Sequence, residues 1–290
     1  MKINGYTRTC GLIGNPVEHT MSPAIHNTLA EALGENLTYV PFRVPAGRIG
    51  EAVKGAYALN LLGVNVTVPY KSEVIPFLRE IDPLAETIGA VNTLVRVEGG
   101  FKGYNTDMPG LYRAMCEDEV NLTDEKVLIL GAGGVARAVA ILAAQKQAGQ
   151  IILFNRTLEK AVKIADEVNG VTGRKLVEPK RLEEYVMLPE SERYLAIQAT
   201  NIGMFPETDA AVIEDPVFYQ KIHTGYDLIF NPAETKFMTL VKENGGRAFN
   251  GLKMLLYQGI IAYELWTGAE IDKPLAEQAY AEMKRAMNIL

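Results

Sequence analysis

The sequence predicts an α/β protein of two domains, one built on an open, mostly parallel sheet and one on a compact βαβ unit. Two successive alternations of strand-like and helix-like segments carry this expectation, and a glycine turn, Gly131-Ala132-Gly133-Gly134, divides strand from helix in the second. In the first alternation, strand-like runs at Cys10-Gly11-Leu12-Ile13, Thr38-Tyr39-Val40-Pro41-Phe42 and Gly63-Val64-Asn65-Val66 are separated by helix-like stretches over 23–33 and 47–59. Ser22 before Pro23 reads as an N-cap followed by proline in the first turn, which leaves residues 14–22 as a strand-to-helix loop. Ligands in open α/β sheets usually meet such carboxyl-end loops.

The second alternation starts with a strand over 126–130, then the glycine turn, a helix over 135–147 and a strand over 150–154. Ala136, Ala138, Ala140, Ala143 and Ala144 favour that helix and let it pack closely. Further strands are expected at 194–198 and 225–230, with helices at 233–244, 252–266 and 273–288. The resulting division is 1–109, 110–251 and a C-terminal helical segment, 252–290, that returns to the first domain. No internal repeat or low-complexity segment is visible.

The 290 residues carry a formal charge of −6, with 48% hydrophobic and 22% charged residues, an ordinary composition for a globular protein with a buried core. There is no basic tract with interleaved aromatics and no zinc-finger spacing, so nucleic acid is not an expected partner. No run approaches the ~20 apolar residues of a membrane span, and the amino end lacks the pattern of a secretion signal. Two cysteines, Cys10 and Cys116, without CxxC spacing fit a reducing compartment, with the cytoplasm as the default.

Glycines let a turn approach a pyrophosphate, whose charge then meets free N–H groups at the helix start. Gly131, Gly133 and Gly134, with Ala136 in the third small position, form such a turn inside a βαβ unit, the sign of a Rossmann-like nucleotide-binding domain. The second strand ends in Asn155-Arg156-Thr157 followed by Lys160, without the acidic residue that grips the ribose hydroxyls of NAD. Arg156, Thr157, Asn155 and Lys160 instead suit a 2′-phosphate, so NADP is the expected cofactor, with NAD possible. The structural alternative for Arg156 and Lys160 is a solvated surface.

Lys71, after Pro69, and Asp107, at a helix start, supply an ammonium and a carboxylate upstream of that turn. Oxidation of an alcohol by hydride transfer needs somewhere for the hydroxyl proton to go, and such a pair can move it. Taken alone, Lys71 more readily reads as a surface or helix-start lysine and Asp107 as a helix cap, a role compatible with catalysis, and the constellation of the two favours function. Asn65, Thr67, Asn92 and Asn105 can each donate and accept hydrogen bonds; taken singly each more readily shapes a turn or satisfies backbone groups, and their recurrence at strand ends is what suits a ligand with several hydroxyls. Thr20 and Ser22 precede a helix start suited to a carboxylate.

Ser22 lacks a Gly-x-Ser-x-Gly elbow, and His19, His26 and His223 lack a metal-ligand spacing. Neither a serine hydrolase nor a metal site is expected.

Taken together, Gly14-Asn15-Pro16, Ser22-Pro23, His26, Asn65-Val66-Thr67-Val68-Pro69 with Lys71, Ala90-Val91-Asn92-Thr93, Asn105-Thr106-Asp107, the glycine turn, Asn155-Arg156-Thr157 and Gly251-Leu252-Lys253-Met254-Leu255 with Gln258 resemble the shikimate dehydrogenase family, including its quinate/shikimate relatives. The resemblance implies NADP-linked interconversion of 3-dehydroshikimate and shikimate, a step toward chorismate and the aromatic amino acids, while composition leaves monomer and homodimer both open. It assigns Lys71 and Asp107 to the catalytic pair, Asn92, Gln258 and Thr67 to the ring hydroxyls, and Thr20 and Ser22 to the carboxylate. Gly203 and Met204 fall in a loop expected near the nicotinamide, and Met204 is otherwise a core filler.

Three positions depart from the family pattern. Thr20 stands where serine is usual, Phe230 where a tyrosine is expected near the carboxylate, and Gln198 where asparagine is common. The first two leave a quinate/shikimate enzyme using NAD or NADP as the nearest alternative, while a nucleotide-sensing binding protein without turnover is the alternative of a different class.

Overall fold

The computed structural model describes residues 3–289, which divide into two compact units. One runs through Leu111 and resumes at Leu255, and the other spans Tyr112–Met254.

The first unit holds β1 (Arg8–Gly14), α1 (Ser22–Ala32), β2 (Leu37–Arg43), α2 (Ile49–Ala58), β3 (Gly63–Val66), β4 (Glu80–Ile81), α3 (Pro83–Ile88), β5 (Thr93–Val97) and β6 (Gly100–Tyr104). α4 (Asp107–Glu117) begins in it. Its sheet has the order β2-β1-β3-β5-β6-β4. β1 pairs parallel to both β2 and β3, with Cys10 opposite Tyr39 and Gly63. β5 runs antiparallel to both β3 and β6, the exception in an otherwise parallel sheet. A short link such as Glu98–Gly99 can join only antiparallel neighbours, whereas the parallel strands need crossover helices. The hydrophobic pattern before residue 109 indicated three strands, and the β5–β6 hairpin lay hidden in the short run between Asn92 and Asn105.

Val64, Val66, Leu94 and Phe101 form the centre of a core cluster with Tyr70, Val74 and Val91. α9 (Leu252–Thr267) crosses the second boundary and continues in this unit, followed by α10 (Lys273–Ala286), which packs on α1. Trp266 on α9 donates its indole N–H to the Leu94 carbonyl at 2.9 Å, and a Cβ at Gly63 would overlap its ring. Glycine at 63 is therefore required by close approach rather than by backbone angle.

The second unit alternates β7 (Lys126–Leu130), α5 (Gly134–Gln145), β8 (Gln150–Asn155), α6 (Leu158–Thr172), β9 (Val177–Arg181), β10 (Tyr194–Gln198), α7 (Pro216–Tyr219), β11 (Ile222–Asp227), α8 (Lys236–Glu243) and β12 (Arg247–Phe249). The strand order β12-β11-β10-β7-β8-β9 is parallel throughout. Read in chain order, it is the 3-2-1-4-5-6 arrangement of dinucleotide-binding sheets, with its switch point between β7 and β10. β7 and β8 are buried on both faces, as parallel strands covered by helices must be.

α6 and β9 were not anticipated, although Ala161, Ile164, Ala165 and Val168 mark one buried helical face at i, i+3, i+4 and i+7. Pro179 is accommodated because β9 lies at the sheet edge. β11 ends at Asp227 instead of reaching residue 230. The Asp227 carboxylate takes the Ile229 N–H at 2.9 Å and so turns the chain out of the ladder. Thr235 caps α8, whose start at Lys236 lies later than the sequence suggested.

Candidate active site

In the first unit the chain leaves β3 through Thr67 and turns so that Tyr70 is buried, its hydroxyl donating to the Val44 carbonyl at 2.6 Å. The Lys71 carbonyl accepts the Val91 N–H at 2.7 Å, which fixes the backbone on either side of the lysine stem. The Lys71 ammonium lies 2.7 Å from Asp107 Oδ2, with the two side chains 33% and 19% exposed. That exposure leaves the pair open enough to meet a ligand and shielded enough to keep its geometry. Asn92 donates from Nδ2 to the other oxygen, Asp107 Oδ1, at 2.9 Å.

Asp107 is therefore not the side-chain cap of α4. Asn105 supplies that acceptor, taking the Met108 N–H at 3.3 Å while its amide donates to the Ala90 carbonyl at 3.0 Å. Ser22 likewise is the first residue of α1, with Met21 at the N-cap and no side-chain cap bond. Thr20 Oγ1 accepts the Ser22 N–H at 3.2 Å, which holds the two candidate carboxylate ligands together. Thr67 is half-buried, and its methyl group sits where a Cβ at Gly14 would fall. Gln258 on α9 donates to the Leu255 carbonyl at 2.8 Å, beside Gly110, where a Cβ would come 2.6 Å from the Gln258 backbone nitrogen.

His26 is fully buried and stacked on Tyr39 at 4.2 Å, and burial pushes its imidazole down to about 3. It has a packing role, as expected for a neutral histidine in an apolar setting. His19 is exposed, and His223 faces Glu125 at 3.2 Å. No group of His, Cys, Asp and Glu among the described residues is arranged to hold a metal ion.

In the second unit the glycine turn leaves β7 with Gly131 at φ +111°, in the region that favours glycine. A Cβ there would also come 2.7 Å from Thr200 Cγ2. Gly133 and Gly134 are exposed, and a Cβ on either would meet nothing within 4 Å. Gly133 is the N-cap of α5 and supplies no side-chain cap, so an anion can approach the first N–H groups of the helix. Ala136 is buried against the sheet, where a small residue is needed for helix–strand contact.

At the end of β8, Asn155 donates to the Thr157 carbonyl at 2.8 Å and shapes the turn that presents Arg156, Thr157 and Lys160 to solvent. Neither Arg156 nor Lys160 has an ion-pair partner among the described residues. An open glycine cradle, an uncapped helix start and two free cations at the neighbouring strand end fit a phosphorylated dinucleotide.

Past β10, the Gln198 side chain is buried and spans the next turn. Its Oε1 accepts the Thr200 N–H at 2.6 Å, and its Nε2 reaches the Ile202 carbonyl at 3.2 Å and Asp227 Oδ1 at 3.4 Å. The glutamine at 198 thus supplies the turn's hydrogen bonds itself. Burial pushes the Asp227 carboxyl up to about 6, although donors from Thr235 and Ile229 pull it down. Gly203 is buried at φ +90°, and Met204 is 45% exposed, so it does not fill the core. Sequence reasoning passed over Asp227 and Thr106; a polar residue enclosed by apolar strand neighbours, as in Gly225-Tyr226-Asp227-Leu228-Ile229, is the signal that marks the first.

A family model of the shikimate dehydrogenase substrate binding domain matches residues 12–94, one of shikimate / quinate 5-dehydrogenase residues 114–189, and one of the shikimate 5′-dehydrogenase C-terminal domain residues 251–279. A curated relative from Carboxydothermus hydrogenoformans, shikimate dehydrogenase (NADP(+)), is 43% identical over 273 residues, covering 92% of this chain and 94% of that protein. The shikimate 5-dehydrogenase of Listeria monocytogenes, solved in complex with shikimate and NAD, has a TM-score of 0.88 at 31% identity, with 99% of this chain and 98% of that one covered. The Thermus thermophilus enzyme, solved with NADP(H) and shikimate, has a TM-score of 0.84 at 32% identity, with coverage of 96% and 99%.

Fold and relatives together define a two-domain α/β dehydrogenase. The three models fall in both units, and the relatives carry the likeness across the rest of the chain. The chain belongs to the shikimate dehydrogenase family.

Proposed function

We propose that this chain is an NADP-linked shikimate dehydrogenase that reversibly reduces 3-dehydroshikimate to shikimate, on the route to chorismate and the aromatic amino acids. The observation that carries the reading is the Lys71–Asp107 pair, 2.7 Å apart and braced by Asn92. When bound, the nicotinamide supplies or accepts the hydride at its C4. Reduction of the ketone then requires one proton on the ketone oxygen, and the Lys71–Asp107 pair gives it up; in the oxidation direction the pair takes it back. Lys71 polarises the oxygen, and Asp107 orients both the ammonium and an adjacent ring hydroxyl.

Around that pair, Asn92, Gln258 and Thr67 read ring hydroxyls, while Thr20 and Ser22 receive the carboxylate. Residues 1–109 and 252–290 form the substrate-binding part and residues 110–251 the NADP-binding part. Gly131, Gly133, Gly134 and Ala136 receive the pyrophosphate, with Gly203 and Met204 on the nicotinamide side. Asn155, Arg156, Thr157 and Lys160 take the 2′-phosphate, a reading supported by the exposure of Arg156, Thr157 and Lys160 and by the absence of an acidic residue among the four. We place the enzyme in the cytoplasm, since Cys10 and Cys116 are both free thiols.

The test is a panel of shikimate and quinate, each with NADP and NAD, followed as reduced nicotinamide at 340 nm. Highest kcat/KM for shikimate with NADP is expected. Equal efficiency on quinate would replace the assignment with a quinate/shikimate enzyme, and binding of NADP without turnover of either acid would leave a nucleotide-binding protein.

A further inference from the structure

Resting on the reading of Lys71 and Asp107 as the proton-transfer pair, we propose that Tyr39 and Asn65 are positioning residues, which hold that pair through a one-way chain of buried hydrogen bonds. Asn92 Oδ1 accepts the Thr106 N–H at 2.7 Å, the Thr106 hydroxyl at 3.1 Å and the Thr93 hydroxyl at 3.1 Å. A backbone N–H can only donate and an ionised carboxylate can only accept, so Oδ1 faces Thr106 and Nδ2 faces Asp107. Thr106 thus fixes which way the amide points. Where the amide sits is set by β5, and there the holding group is Asn65.

Asn65 on β3 lies opposite Thr93 in the β3–β5 register. Its Nδ2 donates to the Asn92 carbonyl at 3.2 Å and to Thr93 Oγ1 at 3.0 Å. With its amide protons spent inside the protein and 4% of its surface exposed, Asn65 takes the structural of its two readings and does not read a ligand hydroxyl. Its Oδ1 in turn accepts the Tyr39 hydroxyl at 2.8 Å.

Tyr39 is 2% exposed and clamped by the stacked His26 ring. Burial pushes its phenol well above the ordinary value, so it remains a donor. The bonds therefore run in one direction, from Tyr39 to Asn65, Thr93, Asn92 and Asp107. Without the Tyr39 hydroxyl, a buried amide oxygen loses its donor, and rotation of Asn65 to recover one turns Oδ1 toward Thr93. Thr93 then loses the donor that leaves its own proton free for Asn92.

The test uses the full chain and three variants. Tyr39→Phe keeps the ring and its stacking, Thr93→Val interrupts the chain downstream, and Thr93→Ser keeps the hydroxyl. Steady-state kinetics with shikimate and NADP are combined with 1H–15N spectra of the Asn92 side-chain amide, whose hydrogen exchange does not depend on turnover. Tyr39→Phe and Thr93→Val are each expected to lower kcat by about 5–20-fold with KM for NADP within about 2-fold, and to speed Asn92 amide exchange by about 10-fold. Thr93→Ser is expected to stay near wild type in both.

A Tyr39→Phe enzyme with unchanged kcat, an unmoved Asn92 signal, or a loss shared equally by Thr93→Ser and Thr93→Val would overturn the proposal. If wild type turns over neither acid while Asn92 exchange responds as described, the shikimate reading fails and the positioning role stands. If wild type is active and Lys71→Ala is not, but Tyr39→Phe is unaffected in both readouts, the positioning role fails and the reading stands.

Discussion

Lys71 and Asp107 lie 36 residues apart in sequence, and their side chains meet at 2.7 Å. Asp107 divides its oxygens, one to the Lys71 ammonium and one to the Asn92 amide, so neither residue can be replaced without unfastening the other.

Lys71→Ala and Asp107→Asn are each expected to lower kcat by about 100-fold or more, the usual scale for a positioned proton-transfer group. KM for NADP should stay within about 3-fold, because both residues belong to the first unit. Initial rates of NADPH formation at saturating shikimate measure this directly, and near-normal turnover in both variants would sink the pair.

Arg156→Ala should lower kcat/KM for NADP by about 10-fold or more while leaving the value for NAD within about 3-fold. A charge-assisted hydrogen bond to phosphate is worth about 1.5–3 kcal/mol, and only NADP carries the 2′-phosphate. The ratio of the two efficiencies is the readout, and a ratio equal to that of wild type rules out Arg156 as its ligand.

Gly131→Ala and Gly133→Ala separate stability from binding in one turn. At 131 the added methyl meets both a positive φ and Thr200, so a loss of about 1–3 kcal/mol in urea unfolding is expected. At 133 it meets nothing within 4 Å, so stability should hold while KM for NADP rises, since the methyl enters the space left for the pyrophosphate. Calorimetric titration with NADP on both variants distinguishes the two effects.

His26 gives the protein an acid sensitivity of definite sign. Its ordinary value of 6.5 is lowered to about 3 in the folded state, so between these values the unfolded chain binds the proton and the folded chain does not. Its contribution to stability is present above pH 6.5 and is lost as pH falls toward 3. In His26→Phe, the slope of stability against pH across that window should flatten by up to about 1.4 kcal/mol per pH unit. Urea midpoints at pH 4, 5, 6 and 7 provide the measurement, with equal slopes in the two proteins excluding His26 as the source.

The second unit was the more legible in sequence at its start, where a buried strand, a glycine turn and an alanine-rich helix follow one another without interruption. Beyond β8 the pattern fades because α6 shows one narrow apolar face and β9 is an edge strand with a proline. In the first unit the β5–β6 hairpin was missed for a different reason. Its strands are five residues each, and polar side chains such as Thr93 face inward, which defeats a count of hydrophobic alternation.

Lys71 and Asp107 were visible as residue types at loop ends, yet no spacing in the sequence says that they touch. The contact depends on β3 and β6 being carried into one sheet with β5 between them. The same gap left Asn65 with two readings, since a strand-end amide facing solvent and one facing Tyr39 look alike in sequence.

The overlap of Trp266 with the space above Gly63 sets an order of events during synthesis. The ribosome releases β3 about two hundred residues before the indole that covers it. The contiguous segment Tyr112–Met254 emerges complete in that interval and can close on its own. The discontinuous unit is thus begun before the other and completed after it, and its β3 strand waits uncovered until α9 leaves the exit tunnel.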